Sequence, residues 1–306
     1  MSNLNGKKIA VLKGGPGSER DVSLASAAGV AKALRELGAD VIEIDVRDSD
    51  FERMDGIDIA FNVIHGTFGE DGQLQAILDG RGVAYTGEGA AGSRLAFDKI
   101  ASKKRFGERG VPSARYEIVQ AGGQPALPLP LVVKPPREGS SVGVSIVKTQ
   151  DELAPALALS AKFDRTLLVE EFIAGRELTV GILGDLALPV IEILPREGFY
   201  DFKNKYPFLN PQLATAGATH FCPAPLDETQ TKRVQQIALE AHRALGLEVY
   251  SRVDLILSDN GELFVLEINT IPGMTSASLL PEAAANAGIS YGALCERIIH
   301  LSLQKK

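Results

Sequence analysis

Two cysteines in 306 residues, Cys222 and Cys295, leave neither a disulfide framework nor a metal-like spacing. That usage fits a reducing compartment, with both thiols as buried apolar filler. Excess basic charge is missing too. With 32 Lys and Arg against 39 Asp and Glu, the net charge is −7, which argues against a general polyanion-binding face and requires any anion to meet cations placed locally. No apolar run approaches the length that spans a bilayer, and the run in "MSNLNGKKIAVLKGG" is far too short for a secretory signal. Neither nucleic acid nor membrane is therefore an expected partner, and the chain reads as cytoplasmic and unanchored. Internal repeats and low-complexity tracts are also lacking.

What is present is an ordinary globular composition, 45% hydrophobic and 23% charged, enough for a sizeable core and two or three compact units. The first hundred residues alternate as a small doubly wound α/β unit: strands at 8–12, 41–46 and 59–64, helices at 22–37 and 72–81. A helix over 97–109 stops at glycine with proline just beyond, a common boundary between units. A small α+β unit follows, with strands at 131–134, 142–147 and 167–172 and a helix at 151–162. Strands at 177–183 and 188–194, a long loop over 195–225, a helix at 229–245, a hairpin over 250–269 and a helix at 291–303 complete the chain. Loops of that length in compact proteins are usually functional covers or disordered, and the aromatics and the Lys-Tyr pair here favour a cover. The expected units are 1–96, 97–175 and 176–306.

Two glycine-rich stretches carry chemical interest. "GGPGSERD" directly follows the first strand, where open α/β sheets place ligands, and its Ser18 reads as a helix start. "KPPREGSSVGVS", residues 134–145, looks able to hold phosphate, although its spacing is not that of a P-loop, which sets the lysine after the glycines.

The hairpin "SRVDLILSDNGELFVLEIN" allows a calculation. Asn260-Gly261 predicts a two-residue turn, and if Asp259 pairs with Glu262, then Asp254 lies opposite Glu267 and Arg252 opposite Asn269. With a period of two, these four side chains share one face while Val253, Leu255, Leu266 and Ile268 take the other. Opposed carboxylates repel unless a cation lies between them, and two carboxylates with an amide oxygen suit Mg²⁺; a solvated polar face is the plainer alternative. Beyond it, "NTIPGMTSASLLP" turns at Pro272-Gly273, and Ser276 or Ser278 can cap a following helix.

Taken in order, "GGPGSERDVSL", "IHGTFGEDGQLQ", "AFDK", "VVKPPREGSSVGVS", "VEEFIAGRELTV", "YDFKNKY", "SRVDLIL" and "LEINTIPGMTSASLLP" resemble the D-alanine:D-alanine ligases of the ATP-grasp superfamily over nearly the whole chain. The resemblance implies an ATP-grasp fold with an amino-terminal doubly wound α/β domain, a small central α+β domain and a carboxy-terminal α+β domain, the ATP-grasp unit covering about 102–302. It implies ATP-driven joining of two D-alanines through a D-alanyl phosphate, for peptidoglycan. By resemblance Lys99, Lys134 and Lys205 meet the nucleotide phosphates, beneath a flap containing Ser140 and Ser141. Glu170 meets the adenine amino group, Glu171, Phe172 and Ile173 form the pocket and its backbone edge, and Glu177 bonds the ribose. Two Mg²⁺, or Mn²⁺, are held by Asp254, Glu267 and Asn269, the last also belonging to the nucleotide site. Glu19 takes the first ammonium and His65 lies near the substrate carboxyl. Arg252 and the Gly273 N–H stabilise the oxyanion, and Ser278 with the Leu279 N–H holds the second carboxylate. Tyr206 latches its loop to Ser140 and Glu19, and a homodimer is expected. The chain departs from the common family wording at Glu88 and Ile271, and its connection over 111–133 is short. A D-lactate-using or other carboxylate-amine ligase is the alternative, with a non-catalytic nucleotide-binding module a more distant one.

Overall fold

The computed structural model describes residues 4–51, 54–195 and 218–305. Its amino-terminal sheet is parallel and ordered β2-β1-β3, from β1 (Lys8–Gly14), β2 (Asp40–Val46) and β3 (Ile59–Asn62). Both faces of β1 are covered, which is why "KIAVL" is a continuous apolar run rather than an alternating one. Ile9 and Val11 pack with Val30 and Leu34 of α1 (Arg20–Glu36), whereas Ala10 and Leu12 pack with Leu74 and Leu78 of α2 (Gln73–Gly80). A bridge from Ala60 to Tyr85 extends this sheet by one position. Helix α1 starts later than Ser18 predicted: Glu19 sits at its cap position, and no side chain caps it.

The single helix expected over 97–109 is two helices, α3 (Ala90–Phe97) and α4 (Lys99–Arg109), with 90–96 unassigned by pattern. Asp98 divides them. Its extended backbone breaks α3, and its carboxylate accepts the N–H groups of Ile100 and Ala101 at 3.0 and 3.1 Å to start α4.

The central sheet is antiparallel and ordered β4-β7-β5-β6, from β4 (Tyr116–Gln120), β5 (Leu131–Lys134), β6 (Ser145–Val147) and β7 (Thr166–Glu171). Strand β4 was not expected, and β6 is shorter than its pattern because 142–144 belong to the flap. Helix α5 (Gln150–Ser160) opens with a Thr149–Glu152 capping box and lays Leu153, Ala156 and Leu157 against Val133, Val147 and Val169.

The carboxy-terminal sheet runs β11-β10-β8-β12-β13, with β9 (Leu186–Ala187) paired to β8 (Gly175–Leu183). Here β10 is Ile191–Pro195, β12 is Tyr250–Ser258 and β13 is Leu263–Asn269. Strand β11 (Ala218–Phe221) lies inside the stretch expected to be loop, and pairs with β10. One face packs on α6 (Glu228–Ala244) through Val234, Ala238 and Ala241. On the other side, α7 (Leu279–Asn286) and α8 (Tyr291–Gln304) share one hydrophobic cluster with α1, so the first and last units are joined through a common core. Among the described residues no helix is long and apolar enough to cross a membrane.

The β12–β13 hairpin corrects the register argument in an instructive way. Its turn has three residues, not two: Ser258 and Glu262 are bonded across it, and Gly261 takes the left-handed φ of +83°. The pairing Asp259 with Glu262 is therefore absent, and partners up to Leu255↔Val265 are offset by one from the expected register. A bulge between Asp254 and Leu255 takes up that residue, restoring Asp254↔Glu267, Val253↔Ile268 and Arg252↔Asn269. The bulge also places Leu266 beside Glu267 on the cavity side, instead of with Val253 on the core side.

Candidate active site

A cavity of about 400 Å³ lies between the central and carboxy-terminal sheets. Its apolar lining includes Val132 and Ile146 from one sheet and Ile193, Leu194, Ile256 and Leu266 from the other, a slot suited to a flat ring. Polar groups lie at its rim and ends. Lys99, Lys134, Ser141, Glu170, Glu171, Phe172, Ile173, Glu177, Asp254 and Glu267, all singled out from sequence, line this one cavity. Ser140 and Asn269 do not: Ser140 turns toward Glu19, and Asn269 lines a small adjoining recess with Glu70 and Thr270.

Glu170 is buried, yet both of its carboxylate oxygens meet lysines: Lys103 Nζ at 2.8 Å on one and Lys134 Nζ on the other. Burial opposes its charge, but Lys134 and Lys103 together hold the carboxyl below its ordinary range. The Lys103 ammonium, 2.9 Å from the Ala114 carbonyl, is shifted down by burial and by the charge of Lys134, although Glu170 counteracts this. Sequence reasoning missed Lys103. Adjacent lysines in "SKKRF" carry no mark of which is buried, except that Lys103 precedes the core residue Phe106 by three positions, one helical turn. Glu171 pairs with Arg115, Nε to Oε2 at 2.7 Å, at the cavity edge.

At the opposite end stands the hairpin face. Asp254 receives Arg252 Nε at 2.9 Å and Nη2 at 2.7 Å, Thr179 Oγ1 at 2.6 Å and Asn269 Nδ2 at 3.3 Å. Glu267 pairs with Lys99 at 3.1 Å, and Lys99 also donates to the Glu138 carbonyl at 2.8 Å. Among the described residues no cluster of three or more His, Cys, Asp or Glu could hold a metal by itself. Two carboxylates and an amide on one hairpin face are a hard-oxygen donor set that fits Mg²⁺ completed by phosphate oxygens and water.

The flap approaches the amino-terminal unit. Ser140 and Ser141 have left-handed φ values of +50° and +59°, uncommon for residues with a Cβ, and such backbone turns successive N–H groups into an anion-holding concavity. The Ser140 hydroxyl donates to the buried Glu19 carboxylate. Space around that carboxylate is tight: a Cβ on Gly66, whose φ is +67°, would stand 2.5 Å from Glu19 Oε2, and one on Gly139 3.0 Å from it.

His65 is buried between α1 and the turn after β13. Its Nδ1 lies 2.8 Å from the Ile271 carbonyl and 3.7 Å from Glu70, while Nε2 lies 3.2 Å from Ser26 Oγ, which accepts the Met274 N–H. Burial disfavours its charged form, but Glu70, Glu19 and the Ile271 carbonyl raise it above the ordinary histidine value. Glu70, also missed from sequence, is raised by burial and by the charge of Glu19, against the pull of His65 and Arg252. Within the turn, Ser278 Oγ accepts the Thr275 N–H at 3.0 Å instead of capping α7, a correction to its expected role. That leaves the first N–H groups of α7, Leu279 included, without an intrahelical partner. A Cβ on Gly273 would stand 2.7 Å from that same Oγ. Lys205 and Tyr206 lie outside the described residues.

The family description D-ala D-ala ligase C-terminus matches residues 106–300, and D-ala D-ala ligase N-terminus matches residues 45–88. The chain is 49% identical over 297 residues to the D-alanine–D-alanine ligase of Methylacidiphilum infernorum, covering 97% of this chain and 95% of that protein. To that of Citrifermentans bemidjiense it is 44% identical over 309 residues, covering 100% of this chain and 99% of the other. Among solved structures, the D-alanine–D-alanine ligase of Bacillus anthracis superposes with a TM-score of 0.84 at 31% identity, over 98% of both chains. The VanG D-Ala:D-Ser ligase of Enterococcus faecalis does so with 0.84 at 29%, over 97% of this chain and 100% of that one. The expected ATP-grasp architecture is thus that of solved relatives, and with both family descriptions matched and relatives spanning its full length, the chain belongs to the D-alanine–D-alanine ligase family.

Proposed function

We propose that this protein carries out ATP-dependent ligation of D-alanine to D-alanine, for peptidoglycan, with the residues gathered around the cavity between its two antiparallel sheets. The observation that carries this reading is that Lys134 and Glu170 from one sheet and Asp254 and Glu267 from the other line a single cavity. Phosphoryl transfer to a carboxylate brings like charges together, so positioned cations do most of the work. In this reading Lys99 and Lys134 neutralise the phosphates, Glu170 holds Lys134 in place, and residues 170–173 with Glu177 receive the adenosine. Asp254, Glu267 and Asn269 would hold Mg²⁺ or Mn²⁺, which would supply positive charge to offset the negative charge developing in phosphoryl transfer.

Glu19 takes the ammonium of the first D-alanine, whose carboxylate attacks the γ-phosphorus to give D-alanyl phosphate and ADP. The second amine then attacks that carbonyl, Arg252 and the Gly273 N–H stabilise the oxyanion, and phosphate leaves. Ser278 and the N-terminal N–H of α7 hold the second carboxylate. The cytoplasmic location, the homodimer and the three units 1–96, 97–175 and 176–306 belong to the same reading. The test is phosphate release from ATP and Mg²⁺ with D-alanine, D-serine or D-lactate as second substrate. Preference for D-alanine is expected near neutral pH, and a clear preference for D-lactate or D-serine overturns the reading.

A further inference from the structure

Glu88 lies in "TGEG", one of the places where the chain departs from the family wording, and it is 3% exposed. Its carboxylate accepts three consecutive backbone N–H groups: Glu248 at 2.9 Å on Oε2, with Val249 at 2.8 Å and Tyr250 at 3.1 Å on Oε1. In an extended strand successive N–H groups point to opposite sides, so three that converge mark a backbone bent around an anion. Tyr250 begins β12, and Arg252 and Asp254 follow at two and four residues. The segment that delivers Glu88 is itself confined. Gly87 has a φ of +90° and donates to Ser302 on α8 at 3.0 Å, and a Cβ there would stand 3.1 Å from Ile271.

We propose that Glu88 is a positioning residue for the ligation: by gripping the start of β12 from the amino-terminal unit, it sets where Arg252 and Asp254 stand relative to Glu19 and His65. The inference rests on the roles proposed above for Arg252 and Asp254. Lys305, Tyr85 and Tyr250 bring charge or a titratable group to Glu88, while α3 meets it with the uncharged Ser93 and Gly92. Lys305, just past the end of α8, donates to the carbonyls of Gly87 at 2.9 Å and Tyr85 at 3.3 Å and lies over the Tyr85 ring. Asp79 on α2 faces Tyr85 and Lys305, Glu248 lies beside the bend, and Tyr250 is surrounded by Glu70, Cys295 and Tyr291. Burial raises Glu88 to about 7 against the three N–H groups and Lys305, and burial brings Lys305 down to about 8. Protonation turns one carboxylate oxygen into a donor facing donors, so the grip loosens on the acid side of neutrality.

The experiment measures kcat, the KM for ATP and the KM for D-alanine from pH 6 to 9 on the full chain with Mg²⁺, at temperatures well below each variant's Tm. The proteins compared are the wild type, Glu88→Gln, Lys305→Met and Arg252→Ala. Glu88→Gln keeps one acceptor oxygen and is expected to lower kcat about tenfold, since small misplacements of reacting groups cost that much or more. Its KM for ATP should stay within about twofold, because the adenosine contacts are on other elements. The Glu88-dependent limb near pH 7 should vanish, while any limb set by His65 or Glu70 stays. Lys305→Met should move the Glu88 limb to higher pH, because a cation that favours the carboxylate is gone. A Glu88→Gln protein with a lower Tm but unchanged kcat and pH profile overturns the proposal, as does a limb unmoved in Lys305→Met. If Arg252→Ala loses turnover and Glu88→Gln does not, this inference alone fails; if Arg252→Ala retains turnover, the role of Arg252 and this inference fall together.

Discussion

Individual side chains in this site are held mostly by opposite charges that share them. Arg252 is bidentate on Asp254 and Glu170 lies between two lysines, so removing any one partner acts on the other. Arg252→Ala is expected to lower kcat by about 10²–10³, the usual scale for losing an oxyanion donor, while ATP affinity measured by calorimetry changes less than about threefold. Equal loss of both would contradict the oxyanion role. Lys103→Met leaves Glu170 buried with Lys134 alone, and about 2–3 kcal/mol of stability should be lost, somewhat less than for breaking a buried pair outright. Denaturant midpoints check this, and the KM for ATP should rise because Glu170, no longer held from two sides, positions Lys134 less firmly. Part of this layer was legible beforehand: Lys99, Lys134, Glu170, Asp254 and Glu267, named from the hairpin pattern and the family resemblance, line one cavity. Lys103 and Glu70 were not legible, because their roles come from burial and neighbours, and neither leaves a periodic trace in the chain.

Elements carry the site through their ends and irregularities. Asp98 caps α4 immediately before Lys99, so one carboxylate both starts the helix and sets the direction of a lysine that lines the cavity. Asp98→Ala should cost about 1 kcal/mol, the ordinary value of a lost N-cap, and raise the KM for ATP more than the KM for D-alanine. Thermal melts with steady-state kinetics test both parts; a melt shift without a KM change would show that the cap serves the helix only. The hairpin shows how a correct conclusion can come from a wrong intermediate. Asn-Gly predicted a two-residue turn, the structure has three residues there, and a bulge immediately beside Asp254 removes the offset. Turn chemistry is local and is read from a dipeptide, but a bulge answers to what packs on either face, and no short pattern announces it. Strand β11 was missed for a similar reason: "ATHF" alternates weakly, and only its partner β10 makes it a strand.

Across the whole molecule, one core cluster runs from α1 and the first sheet through α7 and α8 to the last sheet, so residues from both ends of the chain share one packed interior. Two buried groups then give stability opposite dependences on pH. Glu88, raised by burial to about 7, contributes stability that is fully present below the unfolded glutamate value and is lost as pH rises through 7. His242, lowered by burial to about 4, has the reverse effect: its contribution is present above the unfolded histidine value and is lost as pH falls toward 4. The two slopes oppose each other between roughly pH 4.5 and 6.5, so the wild type alone does not reveal either. The difference in unfolding free energy between wild type and Glu88→Gln isolates the first. It should fall by about 3 kcal/mol from pH 4.5 to 7 and be flat above about pH 8; a difference independent of pH would show that Glu88 keeps an ordinary carboxyl value in the folded protein. By itself the sequence determined the α/β alternation of the first sheet, the order of the sheets along the chain and many of the residue types that line the cavity, because periodicity, turn residues and motif spacing are local properties of a chain. Tertiary structure alone decided which lysine is buried against Glu170, how the bulge restores Asp254 to Glu267, and that Glu88 reaches across to the start of β12, since each of these depends on surfaces brought together from distant parts of the chain.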